Sequence, residues 1–393
     1  MRLKDLENEG YIVTKLLNKD QTYVIYGADA YGEIALAGLR AKGIEPKYFL
    51  DRKLAGKELK GIRVLPPTKE NFNGKYCYIV AAGGAYEEVC NIIKSNGCND
   101  LMNLSDFFNM ELDESQFSGK AKEFWFNRHL YQGLIHKPSD DEIYIPHVDF
   151  CTTEFCSLKC RHCSQLIPYY LSPKIIDLDY SLKCFDRFLE AIDFITEVRV
   201  LGGEPFCNVE TYKVVEHLYN HRKIGKVVIY TNGTIVPGER MLKDLNEGMA
   251  FVHISDYGAS NGKIKKLIQA FEKYSDIKFF VRSYDSWMDL GDTSLRDYSK
   301  EKLRRVFDSC NQRSCKHFHN DKFYSCPRVA SLYRMELCGN EGEWVDFSNG
   351  NKSVKDFRCL VKDLLDRKLP YEACLRCNGA LYAEQIPAAE QIK

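Results

Sequence analysis

Three thiols on one short loop constrain this chain more than any other feature. Cys156-Ser-Leu-Lys-Cys160-Arg-His-Cys163 follows directly on an apolar strand predicted over 143–150. Thiolates at these spacings can bind three irons of a cubane [4Fe–4S] cluster and leave the fourth iron without a protein ligand. An open iron suits a reactive centre, whereas a cluster that only carries electrons is usually closed by four cysteines. Zinc is the competing reading, since His162 beside the thiols could complete a Cys3His site. Structural zinc sites usually pair two knuckles, however, and no second pair follows within about 12–20 residues. Buried thiols without a ligand are the remaining alternative.

The chain has 393 residues and 16 cysteines, far more thiols than a reducing cytosol would turn into disulfides. Nine of them crowd into two neighbourhoods, around 151–163 and 310–377, where ligation explains them better than packing. The N-terminus is charged and lacks an apolar secretory core, and no apolar run approaches the ~20 residues of a membrane span. A cytoplasmic protein with no membrane partner is expected. Lys+Arg and Asp+Glu both number 55, which argues against a broad electrostatic grip on nucleic acid.

Three segments separate by pattern. Residues 1–118 read as a small α/β unit, with a strand at 22–26, a glycine turn Gly27-Ala-Asp-Ala-Tyr-Gly32, a helix over 33–42 and strands at 47–51 and 76–82. A polar linker, 119–142, leads to 143–305. There strands at 143–150, 197–201, 226–230, 250–255 and 277–282 alternate with helices at 181–195, 209–221, 239–246 and 263–274. Such alternation predicts an α/β fold with a parallel sheet, open or closed into a partial TIM-type barrel, its reactive loops at the C-terminal strand ends. Residues 306–393 read as a short, irregular, cysteine-rich segment.

Two further motifs lie at strand ends. The strand at 197–201 runs into Gly202-Gly203-Glu204-Pro205, where glycines allow close backbone approach and a carboxylate can accept from a cationic amino group. The next two strands end in Thr231-Asn232 and Ser255-Asp256, small polar side chains suited to a ribose or a carboxylate. Together with the cysteine loop, these motifs resemble the radical S-adenosylmethionine (SAM) superfamily over about 143–305. The resemblance implies cluster ligands at Cys156, Cys160 and Cys163, and SAM contacts at Gly202, Gly203, Glu204, Pro205, Thr231, Asn232, Ser255 and Asp256. His162 stands where the family usually has an aromatic residue near adenine, and an imidazole can stack there too. Cys151 reads as a packing residue. The implied activity is reductive cleavage of SAM to a 5′-deoxyadenosyl radical that removes hydrogen from a substrate carbon, with a flavodoxin- or ferredoxin-type reductant.

The second cysteine group sits on a predicted hairpin. With Asn320-Asp321 as a two-residue turn, Cys315 falls opposite Cys326, and Cys374 with Cys377 supplies another pair. Four thiols can close a [4Fe–4S] cluster or hold zinc, and Cys310 is a fifth candidate. The arrangement resembles the auxiliary-cluster (SPASM or twitch) domain that follows the barrel in several radical SAM enzymes, which implies an auxiliary [4Fe–4S] cluster. Tyr284, Trp287 and Asp289, after the last strand, could face a substrate or simply pack.

The glycine turn at 27–32 has Asp29 where the dinucleotide fingerprint needs glycine, and a carboxylate there opposes a pyrophosphate. The turn, Phe49-Leu-Asp51 and 56–65 resemble the Rossmann-like domain that precedes bacterial sugar N-acyltransferases and engages nucleotide sugars. A docking or dimerisation domain is the alternative. The first functional expectation is therefore radical modification of a sugar-type small molecule, by oxidation, epimerisation or dehydration. The second is modification of a peptide or protein, and a remote third is a non-catalytic metal- and nucleotide-binding protein.

Overall fold

The structure, a computed structural model, describes residues 17–392 apart from 84, 109, 129–130, 132–140, 220, 260–261 and 381. Most of the polar end of the predicted linker therefore lies outside the described residues. The chain forms two compact units, residues 1–137 and 138–393.

The first unit holds β1 (Tyr23–Tyr26), α1 (Ala30–Arg40), β2 (Phe49–Leu50), β3 (Glu58–Leu59), β4 (Ile62–Leu65) and β5 (Cys77–Val80). It continues with α2 (Tyr86–Ser95), β6 (Leu101–Asn103) and α3 (Gly119–Phe126). The sheet order is β3-β4-β2-β1-β5-β6, parallel except for the β3–β4 pair. β1 has no polar face: Ile25 packs with Ile34, Leu39 and Phe107, while Val24 and Tyr26 pack with Tyr78, Val89 and Ile93 on the other side. A parallel strand apolar on both faces is one that elements cover from both sides. The region read as linker begins with α3, whose Ala121 and Trp125 join this core. At the start of α1 the Asp29 carboxylate caps its own helix, accepting from Tyr31 N at 3.0 Å.

The second unit is built on β7 (Tyr144–Cys151), β8 (Phe194–Leu201), β9 (Ile224–Thr231), β10 (Phe251–Asp256) and β11 (Phe279–Ser283). These are joined by α4 (Leu178–Ala191), α5 (Tyr212–Leu218), α6 (Glu239–Asn246) and α7 (Lys263–Phe271). Beyond them come β12 (Ser286–Met288), α8 (Lys300–Asp308), β13 (Lys316–His319), β14 (Lys322–Tyr324) and α9 (Pro327–Arg334). β15 (Trp344–Asp346), α10 (Val354–Asp366) and β16 (Gln385–Pro387) complete it. Eight strands make one sheet, in the order β11-β10-β9-β8-β7-β13-β14-β15.

The late segment is thus less irregular than its composition implies. β13 pairs parallel to β7, and β13–β14 form the expected hairpin with Phe318 opposite Phe323 and the turn at Asn320 and Asp321. The pairing follows from an apolar stripe: Phe318 and Phe323 pack on Phe188, and Phe318 also meets Phe150 and Phe185. The helix read over 181–195 starts and stops earlier, because the Asp177 side chain caps Tyr180 N and β8 claims 194–201. Likewise the 209–221 helix begins only at Tyr212, since Asn208 turns the chain by accepting from Glu210 N.

The sheet has two unlike faces. Val148, Phe150, Val198, Val200, Ile229, Val252, Ile254 and Phe318 face the apolar core. Between them His147, Asp149, Cys151, Glu197, Arg199, Tyr230, His253, His317 and His319 fall on the opposite face, as period-two alternation requires. That second face is also largely buried, so its polar groups are held away from bulk water.

Phe318 is fully buried among four aromatic rings, so Phe318→Ala should cost about 3–5 kcal/mol of stability. Urea unfolding checks it: the midpoint should fall clearly for Phe318→Ala and much less for Phe318→Leu, which keeps most of the volume.

Candidate functional site

The loop after β7 is held by backbone pairing to the loop after β8. Thr152 N donates to Leu201 O at 2.8 Å, Gly203 N to Thr153 O at 2.8 Å and Glu204 N to Phe155 O at 2.8 Å. A side chain could not be accommodated at this approach. A Cβ on Gly203 would lie 2.1 Å from Phe155 O, and one on Gly202, whose φ is +146°, 2.3 Å from Thr153 O. Asn208 Nδ2 adds a clamp by donating to Thr152 O at 2.9 Å.

The result is a cavity of about 360 Å³ at the C-terminal ends of β7 to β10. Cys156, Cys160, Cys163, His162, Gly202, Gly203, Thr231, Asn232 and Ser255, all named from sequence, line it. Three named residues do not. Glu204 is wholly buried behind the wall, where Oε1 accepts from Thr231 Oγ1 at 2.7 Å and Oε2 from Asn232 N at 2.8 Å. Its carboxylate thus fixes the end of β9, a positioning task rather than an open contact. Pro205 starts a short 3-10 turn, and Asp256 accepts from Gly258 N at 2.9 Å.

The thiols are not isolated. Asn232 Nδ2 lies 3.6 Å from Cys156 Sγ, and Gln391 Nε2 lies 3.3 Å from Cys160 Sγ. The tail carrying Gln391 is stitched to the loop: Lys159 N donates to Gln391 Oε1 at 2.8 Å and Arg161 N to Glu390 O at 2.8 Å. Burial first, then the Glu204 carboxylate and the neighbouring thiols, push Cys156 up to about 12, and burial pushes Cys160 up to about 11. Three thiols held this way become thiolates only when a cationic group binds them, since ligation and deprotonation are coupled.

His162 Nδ1 lies 3.2 Å from Asp289 Oδ1, so the imidazole at the unusual position is oriented by a carboxylate from the segment after β12. Trp287 and Met288 of β12, Leu290, Tyr230 and Tyr257 complete the wall. Of the aromatic loop considered from sequence, Trp287 faces this cavity, while Tyr284 Oη sits 3.4 Å from His253 Nε2. Tyr257 escaped the sequence reading although it follows the strand-end pair Ser255-Asp256, which was the available signal. Gln391 had no local signal at all.

The second cysteine group is brought together around the start of α9. Cys310, Cys326, Cys374 and Cys377 line one small apolar cavity with Val306, Phe307 and Tyr371. Cys315 does not line it; it lies just before β13, near Asp149, Arg199 and Cys326. The ladder ends at Tyr324, and Cys326, still within electrostatic reach of Cys315, becomes the N-cap of α9. Burial raises Cys326 to about 11. Among the described residues, neither cysteine group draws its sulfurs within the 4.8 Å that one small ion would need.

Comparison with known proteins bears on the centre of the chain. The pattern of the Radical SAM superfamily matches residues 150–278. Those residues are a radical SAM domain. Domains of this superfamily use a [4Fe–4S] cluster and SAM. A GTP 3′,8-cyclase of Clostridium acetobutylicum is 30% identical over 116 residues, 28% of this chain and 34% of the relative. The chain therefore spans about a third of that relative's length. Two solved structures share 15% identity with it. BtrN in complex with AdoMet and 2-DOIA has a TM-score of 0.38 over 64% of this chain and 100% of its own. Native anSMEcpe with bound AdoMet also has a TM-score of 0.38, over 55% and 81%. Among the described residues no helix is long and apolar enough to cross a membrane.

Burial pushes the Glu204 carboxyl up to about 7, against the hydrogen bonds from Thr231, Asn232 and Phe206 that lower it. The native state therefore keeps this proton above the ordinary carboxylate range, and stability falls as pH rises from about 4.5 to about 7. Glu204→Gln should remove that component. Urea unfolding at both ends of the window should show wild type losing about 1–3 kcal/mol more than the variant.

Proposed function

We propose that the chain is a radical SAM enzyme whose cluster is held by Cys156, Cys160 and Cys163, and which takes hydrogen from carbon in a sugar-type small molecule. The observation that carries this reading is the single cavity shared by the three cysteines, Gly202, Gly203, Thr231, Asn232 and Ser255. When bound, the reduced cluster supplies one electron to the sulfonium of SAM, whose cleavage yields methionine and the 5′-deoxyadenosyl radical that abstracts hydrogen.

The protein's own tasks follow from its geometry. Gly202 and Gly203 leave room for a ligand against the backbone, and Thr231, Asn232 and Ser255 offer hydroxyl and amide groups to ribose and carboxylate. His162, oriented by Asp289, and Tyr257 offer flat faces for adenine. Trp287, Met288 and Leu290 help exclude water. The buried polar face with Asp149, Glu197, Arg199 and Tyr230 suits a molecule rich in hydroxyl groups, and a sheet curled into a partial barrel around that face fits the proposal. The cyclase named above acts as a whole protein of which this chain matches only a part, so its reaction is not carried over.

Two further assignments belong to the proposal. Cys310, Cys326, Cys374 and Cys377 hold an auxiliary [4Fe–4S] cluster, with Cys310 rather than Cys315 as the fourth ligand. The N-terminal unit is a Rossmann-like domain that engages a nucleotide sugar or docks a partner. Its parallel strands run in the order β4-β2-β1-β5-β6, the doubly wound pattern, while the Asp29 carboxylate at the start of α1 disfavours a pyrophosphate there. A flavodoxin or ferredoxin in the cytoplasm supplies the electron.

Anaerobically reconstituted protein, given dithionite and SAM, should release 5′-deoxyadenosine, and a Cys156→Ala, Cys160→Ala, Cys163→Ala triple variant should release none. Zinc in place of iron at both cysteine groups would contradict the reading. Iron analysis separates the auxiliary ligands: Cys310→Ala should lose about four irons per chain, whereas Cys315→Ala should keep them.

A further inference from the structure

A third group of ligand-type side chains stands apart from both cysteine sites. Adjacent parallel strands put it together. In the β7–β13 register Asp149 pairs with His317 and Cys151 with His319, so the four form a two-by-two patch on the polar face. Side chains on neighbouring strands are about 4.8 Å apart. Here the Cys151 sulfur and one nitrogen from each imidazole all lie within 4.8 Å of one another, and among the described residues this is the only such group. All are buried, with Cys151 4% and His317 2% exposed.

We infer that Cys151, His317 and His319 form a mononuclear site for a divalent zinc-like cation. Three observations point the same way. One imidazole has a buried carboxylate in hydrogen-bond reach, Glu154 Oε1 at 3.2 Å from His319 Nε2, while Asp149 Oδ2 stands off from His317 Nδ1 at 3.9 Å. Histidines that bind metals are almost always backed by such carboxylates or carbonyls.

The second observation is an unfilled polar demand. His317 Nδ1 and Asp149 Oδ1 are buried without a hydrogen-bond partner, which costs free energy unless something polar sits between them. The charges also close. Glu154 is matched by Arg334, at 2.7 Å, so Asp149 and a Cys151 thiolate remain to neutralise a dication.

The third observation is a way in. His319 and Glu154 line a cavity of about 830 Å³ between the hairpin turn and α9, which reaches the His319 edge of the patch. One thiolate with two imidazoles is a donor set that suits zinc and leaves a fourth position for Asp149 or a water. The site lies close to the radical centre, since a Cβ on Gly202 would come 3.3 Å from Cys151 Sγ. It does not depend on the reaction proposed above.

The test uses the reconstituted holoenzyme, loaded with zinc sulfate under anaerobic conditions and freed of excess metal. Elemental analysis should find about one zinc per chain beside an unchanged iron content. Zinc-edge X-ray absorption should show one sulfur near ~2.3 Å and nitrogen or oxygen neighbours near ~2.0 Å. His317→Ala and His319→Ala should each lower retained zinc at least tenfold while iron and the circular dichroism spectrum stay as in wild type; Cys338→Ala should change nothing. Wild type that retains under a tenth of a zinc per chain would overturn the inference and leave a hydrogen-bonded strand pairing. So would zinc with two or more sulfur neighbours, or zinc kept in both histidine variants, either of which would assign the metal to the cluster cysteines.

Discussion

The close backbone contact between the loops after β7 and β8 is the constraint on which the rest of the site depends. Gly203 and Glu204 donate to Thr153 and Phe155, and only hydrogen atoms at 202 and 203 permit the approach. This contact fixes the loop that carries Cys156. From there the Glu204 carboxylate, buried beneath the turn, gathers Thr231 and the Asn232 backbone, so three strand ends become one wall. Glu204, named from sequence for the cofactor, is also the strut between the ends of β8 and β9.

A second organising fact is the division of one sheet into an apolar and a polar face. The aromatic cluster of Phe150, Phe185, Phe188, Phe318 and Phe323 draws the late hairpin onto β7. The same alternation then obliges His317 and His319 to join Asp149 and Cys151 on the other side. Burying such groups is unfavourable unless they are paired, so the polar face has to be filled by partners, ligand or cation. Packing on one side of the sheet thereby dictates chemistry on the other.

Much of this was legible beforehand, for reasons that can be named. The strands and helices from 143 to 283 follow hydrophobic periodicity, and the α6 bounds agree with the pattern because its apolar residues recur cleanly. Helix ends moved where a cap decided them, as at Asp177. The cysteine loop and the strand-end polar pairs could be named because short motifs carry their chemistry locally. What stayed hidden was everything set by pairing between distant segments: β13 beside β7, Asp289 behind His162, and Gln391 on Cys160. No local composition reports such partners.

The proposed reaction requires SAM to meet an open iron at Cys156, Cys160 and Cys163. The most direct measurement is the electron paramagnetic resonance spectrum of dithionite-reduced protein before and after SAM is added, in a Cys326→Ala, Cys374→Ala background chosen to remove the proposed second cluster. The account predicts a [4Fe–4S]⁺ signal whose g values shift when SAM binds. A signal that ignores SAM, or no cluster signal in that background despite a folded protein, would contradict it.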